Sequence, residues 1–192
     1  MNRKFHFIRH AQTTAPSGAL VGDTDVGLSA QGILQAERLA DRLPKGLPCL
    51  CSPMRRCRQT LERLQAGGVI SGMVFDDRLR EINFGEWEMK TFADITDNGA
   101  DIDAWMEYYH FAFPGGESVA HFVHRLQEFL AEVRTRSDDQ VLVLTHGGVI
   151  RTLFCLALGL DIKNYLLFNV LFASWSTVEL YSDGGVLTAL NR

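Results

Sequence analysis

Phe5-His6-Phe7-Ile8-Arg9-His10-Ala11-Gln12-Thr13 runs apolar and then stops abruptly, with an Arg-His pair at its carboxyl end. A short apolar run halted by small and polar residues reads as a buried strand feeding a loop. Open α/β sheets place their chemistry at that end of a strand. Arginine supplies a planar, permanent cation suited to phosphate oxygens, and a neighbouring imidazole can act as nucleophile or proton carrier near neutral pH.

A second run, Val141-Leu142-Val143-Leu144-Thr145-His146-Gly147-Gly148, repeats the arrangement far along the chain. Two histidines at the mouths of central parallel strands converge on one crevice. The glycines open a helix from about Val149 to Leu158, whose first backbone N–H groups face the same strand end.

The segments between these runs alternate. Ala15 to Gly27 is a long loop punctuated by Gly and Pro, of the kind that is functional or disordered. Ser29 caps a helix with Ala36, Leu39, Ala40 and Leu43 on one face. Strands are expected at Leu47 to Cys51 and Met73 to Phe75, with a cationic helix from Ser52-Pro53 to about Leu64 between them. Ser118 caps an amphipathic helix carrying Val119, Phe122, Val123, Leu126, Phe129, Leu130 and Val133, and Ser176–Tyr181 with Val186–Leu190 form a terminal hairpin. The alternation predicts a three-layer α/β/α sandwich with a mostly parallel mixed sheet. Its 192 residues fit one domain, 1–192, with an irregular lid-like segment at about 89–117.

A formal charge of −4 without a basic run argues against nucleic acid as the main partner. The apolar stretch before Arg9 is too short for a signal-peptide core, and Tyr165 to Ala173 falls far below the roughly 20 residues of a membrane helix. A cytoplasmic protein with no membrane contact is expected. Cys49, Cys51, Cys57 and Cys155 form no C-x-x-C pair and read as core thiols. His121 and His124 have metal-like spacing but sit on an ordinary amphipathic helix with no third ligand, and His6 reads as strand packing.

Four ordered motifs now carry a resemblance. Arg9-His10-Ala11-Gln12-Thr13 is similar to the Arg-His-Gly-Glu/Gln-Thr signature of the histidine phosphatase superfamily, the phosphoglycerate mutase-like proteins, and Ser52-Pro53-Met54-Arg55-Arg56-Cys57 resembles its second motif. Leu79-Arg80-Glu81 with Gly85-Glu86-Trp87-Glu88 resembles the acid segment, and Thr145-His146-Gly147 the second histidine. Order and spacing agree along nearly the whole chain.

The resemblance implies a phosphoglycerate mutase-like fold and a metal-independent phosphomonoesterase needing no cofactor. It implies His10 as the nucleophile that becomes a phosphohistidine, Glu81 as acid and then base, and Arg9, Arg56 and His146 as the clamp on the phosphate oxygens. Thr13, Gly22 and Gly147 are expected to add substrate contacts. Two positions depart from the pattern: Ala11 stands where the family usually has Gly, and Pro16 where it often has a phosphate-binding Asn. Thr13, Thr14 or the Gly22 backbone are candidates to replace that Asn.

Between Met89 and Glu117 there is one lysine against six carboxylates and six aromatics, which favours a phosphatase over a mutase and suggests a flat or apolar leaving group. Gly22-Asp23-Thr24-Asp25 and Gly85-Glu86-Trp87-Glu88 look most like the α-ribazole phosphatases of cobalamin assembly, which would make the partner a small phosphate ester such as α-ribazole 5′-phosphate. A mutase-type phosphotransferase, a protein phosphatase and a module that binds phosphorylated partners remain the alternatives. The chain leaves oligomeric state open.

Overall fold

The computed structural model describes residues 3–98, Trp105 and 109–192. Six strands form one sheet: β1 (Arg3–Arg9), β2 (Leu47–Cys51), β3 (Ile70–Phe75), β4 (Gln140–Thr145), β5 (Trp175–Leu180) and β6 (Gly185–Ala189). Their spatial order is β3-β2-β4-β1-β5-β6. The first four are parallel, whereas β5 runs antiparallel to β1 and to β6.

Strand alternation explains the layers, because successive side chains point to opposite faces. Phe5, Phe7, Val141 and Val143 pack with α4 (Val119–Val133) and α5 (Gly147–Leu158). Ile8, Leu142, Leu144, Cys49 and Cys51 face the other way, against α1 (Ala30–Ala40) and α2 (Arg55–Ala66). The result is the three-layer α/β/α sandwich that the alternation predicts.

Most caps and ends match their sequence signals. Ser29 accepts from Gly32 N–H, Ser118 accepts from His121 N–H, and the terminal hairpin is β5–β6. All four cysteines are free and buried. His6 is strand packing: Nε2 meets the Gln140 side-chain oxygen at 3.0 Å and Nδ1 meets Thr177 Oγ1 at 2.9 Å.

Three boundaries differ. β3 begins at Ile70 rather than Met73, paired to β2 through a register shift after Leu47. α5 begins at Gly147. α2 begins at Arg55, not at Ser52-Pro53, because the Ser52 hydroxyl is engaged with His146 while Asp25 accepts the Arg55 N–H at 2.7 Å.

The expected lid at about 89–117 falls partly outside the described residues. Its described part contains a short helix, α3 (Phe92–Asp97), closed by a capping box between Thr91 and Asp94. Phe92 stacks on Trp105 at 5.6 Å, and Phe113 packs on Phe84 and Trp87. No helix among the described residues is long and apolar enough to cross a membrane.

Candidate active site

β1 and β4 are neighbours in register, with Arg9 opposite Thr145, so both histidines leave the sheet at the same level. His10 N–H donates to the Thr145 carbonyl at 2.9 Å. The two imidazole rings lie 5.1 Å apart.

The tautomer of His10 follows from one bond. Its Nδ1 lies 2.9 Å from the Ala11 carbonyl oxygen, which can only accept, so Nδ1 carries the proton and Nε2 keeps its lone pair. Burial first, then the Arg56 and Arg9 charges, holds the His10 pKa well below the ordinary histidine value. The ring is therefore neutral near physiological pH, as a nucleophile requires. The Ala11 methyl is buried with Leu28 and Ala36.

Arg9 lines the cavity beside His10. Its Nη1 donates to the Val170 carbonyl at 2.6 Å, while its Nε is buried without a protein partner. Burial and the nearby Arg151 charge push its pKa down to about 10, which leaves it charged near neutral pH.

Arg56 and His146 stand behind this pair. Arg56 is fully enclosed and donates from Nε to His146 Nδ1 at 3.1 Å, from Nη1 to Thr24 O at 3.0 Å and from Nη2 to Gly22 O at 2.7 Å. With Nδ1 accepting, His146 carries its proton on Nε2, 2.8 Å from Ser52 Oγ. Burial, followed by the Arg56 charge, holds His146 well below the ordinary value as well. The expected clamp thus divides into Arg9 on the cavity wall and an Arg56–His146 pair supporting it from behind.

Glu81 lines the cavity too. One carboxylate oxygen accepts from Gly148 N–H at 2.8 Å and the other from Ile82 N–H at 3.1 Å. Glycine at 148 leaves room for this carboxylate, since a Cβ there would lie 2.5 Å from Glu81 Oε1 and push it aside. Arg125 fixes the segment from beneath through the carbonyls of Arg78, Arg80 and Glu81, with Glu117 as its counter-ion.

Thr13 and Gly147 also line the cavity, as does Pro16. Gly22 does not. Its N–H donates to Glu88 and its carbonyl accepts from Arg56, so the donor expected for a phosphate is already engaged. Glu88 gathers Gly22, Asp23, Thr24 and Phe84 N–H groups and the Thr24 hydroxyl. It buckles the 22–24 loop whose carbonyls aim Arg56.

The cavity has a volume of about 940 Å³. Phe84, Phe92, Trp105, Phe113, Tyr165 and Phe172 supply its aromatic wall, with Arg151 and Lys163 on its rim. Among the described residues, no group of three His, Cys, Asp or Glu side chains could hold a metal ion. His121 instead meets Glu117 at 2.6 Å, and His124 meets Glu128 at 3.5 Å.

Known proteins bear on this geometry. Residues 5–192 match the model of the histidine phosphatase superfamily, branch 1. Phosphoserine phosphatase 1 of Hydrogenobacter thermophilus is 32% identical, over 98% of this chain and 92% of that protein. The adenosylcobalamin/α-ribazole phosphatase of Salmonella typhimurium is 29% identical over 96% of this chain and 94% of its own length. A solved mycobacterial glucosyl-3-phosphoglycerate phosphatase superposes with a TM-score of 0.86 at 27% identity, covering 100% of this chain and 99% of that one. The chain belongs to the histidine phosphatase superfamily. It is a phosphomonoester hydrolase of that family.

Two expectations follow. Gly148→Ala should displace the Glu81 carboxylate and lower kcat/KM by roughly 10- to 100-fold with little change in Tm; full activity would contradict the packing. The second concerns stability. His6, His10 and His146 all have lowered folded-state pKa values, so the unfolded chain binds more protons below the ordinary histidine value. Their stabilising contribution is complete above about pH 6.5 and declines as pH falls below it. Thermal melts at about pH 7.5 and about pH 5.5 should show a lower Tm at the acid end. An equal or higher Tm there would contradict the buried neutral histidines.

Proposed function

We propose that this protein is a metal-independent phosphomonoesterase that works through a phosphohistidine on Nε2 of His10 and acts on a small phosphate ester with a flat or apolar leaving portion. The observation that carries the reading is His10 itself. Its Nδ1–H is fixed on the Ala11 carbonyl, and it shares one cavity with Glu81 and Arg9.

In this mechanism Arg9 holds the non-bridging oxygens, with Thr13 and the Gly147 N–H at the amino end of α5 as further contacts. Three of the five Arg56 N–H groups are bonded within the protein, so this enclosed arginine contributes its positive charge from behind the cavity wall. His146, backed by Ser52, supports that arginine. His10 Nε2 attacks phosphorus, the P–O bond to the leaving group breaks, and Glu81, which enters the step as the protonated acid, delivers its proton to the departing oxygen. The resulting carboxylate then takes a proton from water, which attacks the phosphohistidine and returns His10 neutral.

The aromatic wall supports a flat leaving group, for which α-ribazole 5′-phosphate is the leading candidate; the cobalamin link rests on the named relatives. Arg151 and Lys163 on the rim favour a second reading, a leaving group bearing a carboxylate, such as phosphoserine or a sugar acid phosphate. Either substrate fits a single domain, 1–192, in which Phe92, Trp105 and Phe113 line the cavity. The four free cysteines agree with a reducing, cytoplasmic setting. No nucleic-acid or membrane partner is proposed.

The test is a metal-free phosphatase screen over these esters with wild type, His10→Ala and Glu81→Gln. His10→Ala should lose about 10³-fold or more. Glu81→Gln should lose roughly 10²- to 10⁴-fold on alkyl phosphates and much less on nitrophenyl phosphate, whose leaving group needs no proton. Activity surviving His10→Ala would overturn the mechanism, and equal losses on both ester types would remove Glu81 from the acid role. Much faster release from sugar phosphates than from α-ribazole 5′-phosphate would discard the narrower substrate.

A further inference from the structure

The turn that precedes β5 grips the phosphate clamp in a way that no sequence motif marks. Val170 accepts a hydrogen bond from Arg9 Nη1 at 2.6 Å. Two residues on, the same guanidinium lies over the Phe172 ring, with Cζ 3.6 Å from the ring centroid. That ring also approaches His10, centroid to centroid 5.5 Å. Ala173 N–H then donates to the His10 carbonyl at 3.3 Å. One short turn therefore touches both residues of the Arg-His pair.

The turn is itself held under constraint. Ala173 has φ +47° and Asn191 has φ +54°, in the left-handed region where L-residues are uncommon. Asn191 acts as a bracket: its Oδ1 accepts from Leu171 N–H at 2.9 Å and from the Ser174 hydroxyl at 3.0 Å, and its Nδ2 donates to Asn169 O at 2.6 Å. Backbone held in a sparsely populated conformation persists where its surroundings fix it, and such sites cluster around function.

An aromatic face attracts a guanidinium through its π electrons while leaving the in-plane N–H groups free. Arg9 has such a group, the buried Nε–H, lying against Gly147, where a Cβ would come within 3.3 Å. We propose that Phe172 is a positioning residue for the phosphate clamp: its ring face, on a turn bracketed by Asn191, holds the Arg9 guanidinium at the cavity wall where it meets a phosphate oxygen. Holding the cation in advance removes the ordering cost of binding. The inference rests on the phosphatase reading of the site and adds a residue to it.

Phe172 is 39% exposed, so replacing it leaves the core intact. The variants are Phe172→Leu, Phe172→Trp, Asn191→Ala and a ring-fluorinated phenylalanine at position 172, which keeps the shape but withdraws the π charge. The readouts are Ki for inorganic phosphate and the separate kcat and KM values for nitrophenyl phosphate. The Leu and fluorinated proteins should raise Ki and KM by about 3- to 30-fold with kcat changed much less, while Trp holds wild-type values or better. Asn191→Ala should move Ki in the same direction.

A wild-type Ki in the Leu or the fluorinated protein would overturn the proposal while leaving the phosphatase reading in place. A wild-type protein that inorganic phosphate does not inhibit would overturn both.

Discussion

The hydrogen bond from His10 N–H to the Thr145 carbonyl is the constraint on which the rest of the site depends. It extends the β1–β4 ladder one residue past the strands and fixes both histidines at one level of the sheet. Hydrophobic alternation sets that register, because a slip of one residue would turn Phe5 and Phe7 out of the α4–α5 layer. The packing of the core and the spacing of the two histidines are thus one geometric fact.

Around this pair the protein uses backbone groups as its positioning tools. The Ala11 carbonyl selects the tautomer of His10, the Gly148 N–H orients Glu81, the Gly22 and Thr24 carbonyls aim Arg56, and the Val170 carbonyl holds Arg9. Carboxylates then stabilise the loops that supply those groups. Glu88 secures residues 22–24, and Glu117, through Arg125, secures the segment that carries Glu81. Fixed dipoles in a buried site need no reorganisation as charge develops on phosphate, which is where such sites gain most of their rate.

The elements that built the site were largely legible in the sequence, for a physical reason in each case. His10 and His146 follow apolar runs that can only be buried strands, and Ser29 and Ser118 precede helical periodicity and act as caps. What stayed hidden depends on contacts between distant segments. Gly22 reads locally as a free donor, whereas Glu88, far along the chain, accepts its N–H. Phe172 was one aromatic in an apolar stretch, and nothing local marks the arginine beneath it. β3 was underestimated because Ser71 and Gly72 interrupt its β-forming run, yet pairing with β2 extends it to Ile70. α3 did carry a local signal, the Thr91–Asp94 capping box, masked by the irregular composition around it.

The central claim is chemical: with Nδ1–H held by Ala11, only Nε2 of His10 can reach phosphorus. The direct measurement is NMR of the phosphoenzyme, trapped by rapid quenching into alkali, with isotopically labelled histidine to report which nitrogen couples to phosphorus. The account predicts phosphorus on Nε2 of His10. Phosphorus on Nδ1, on His146, or no phosphohistidine during turnover would contradict it.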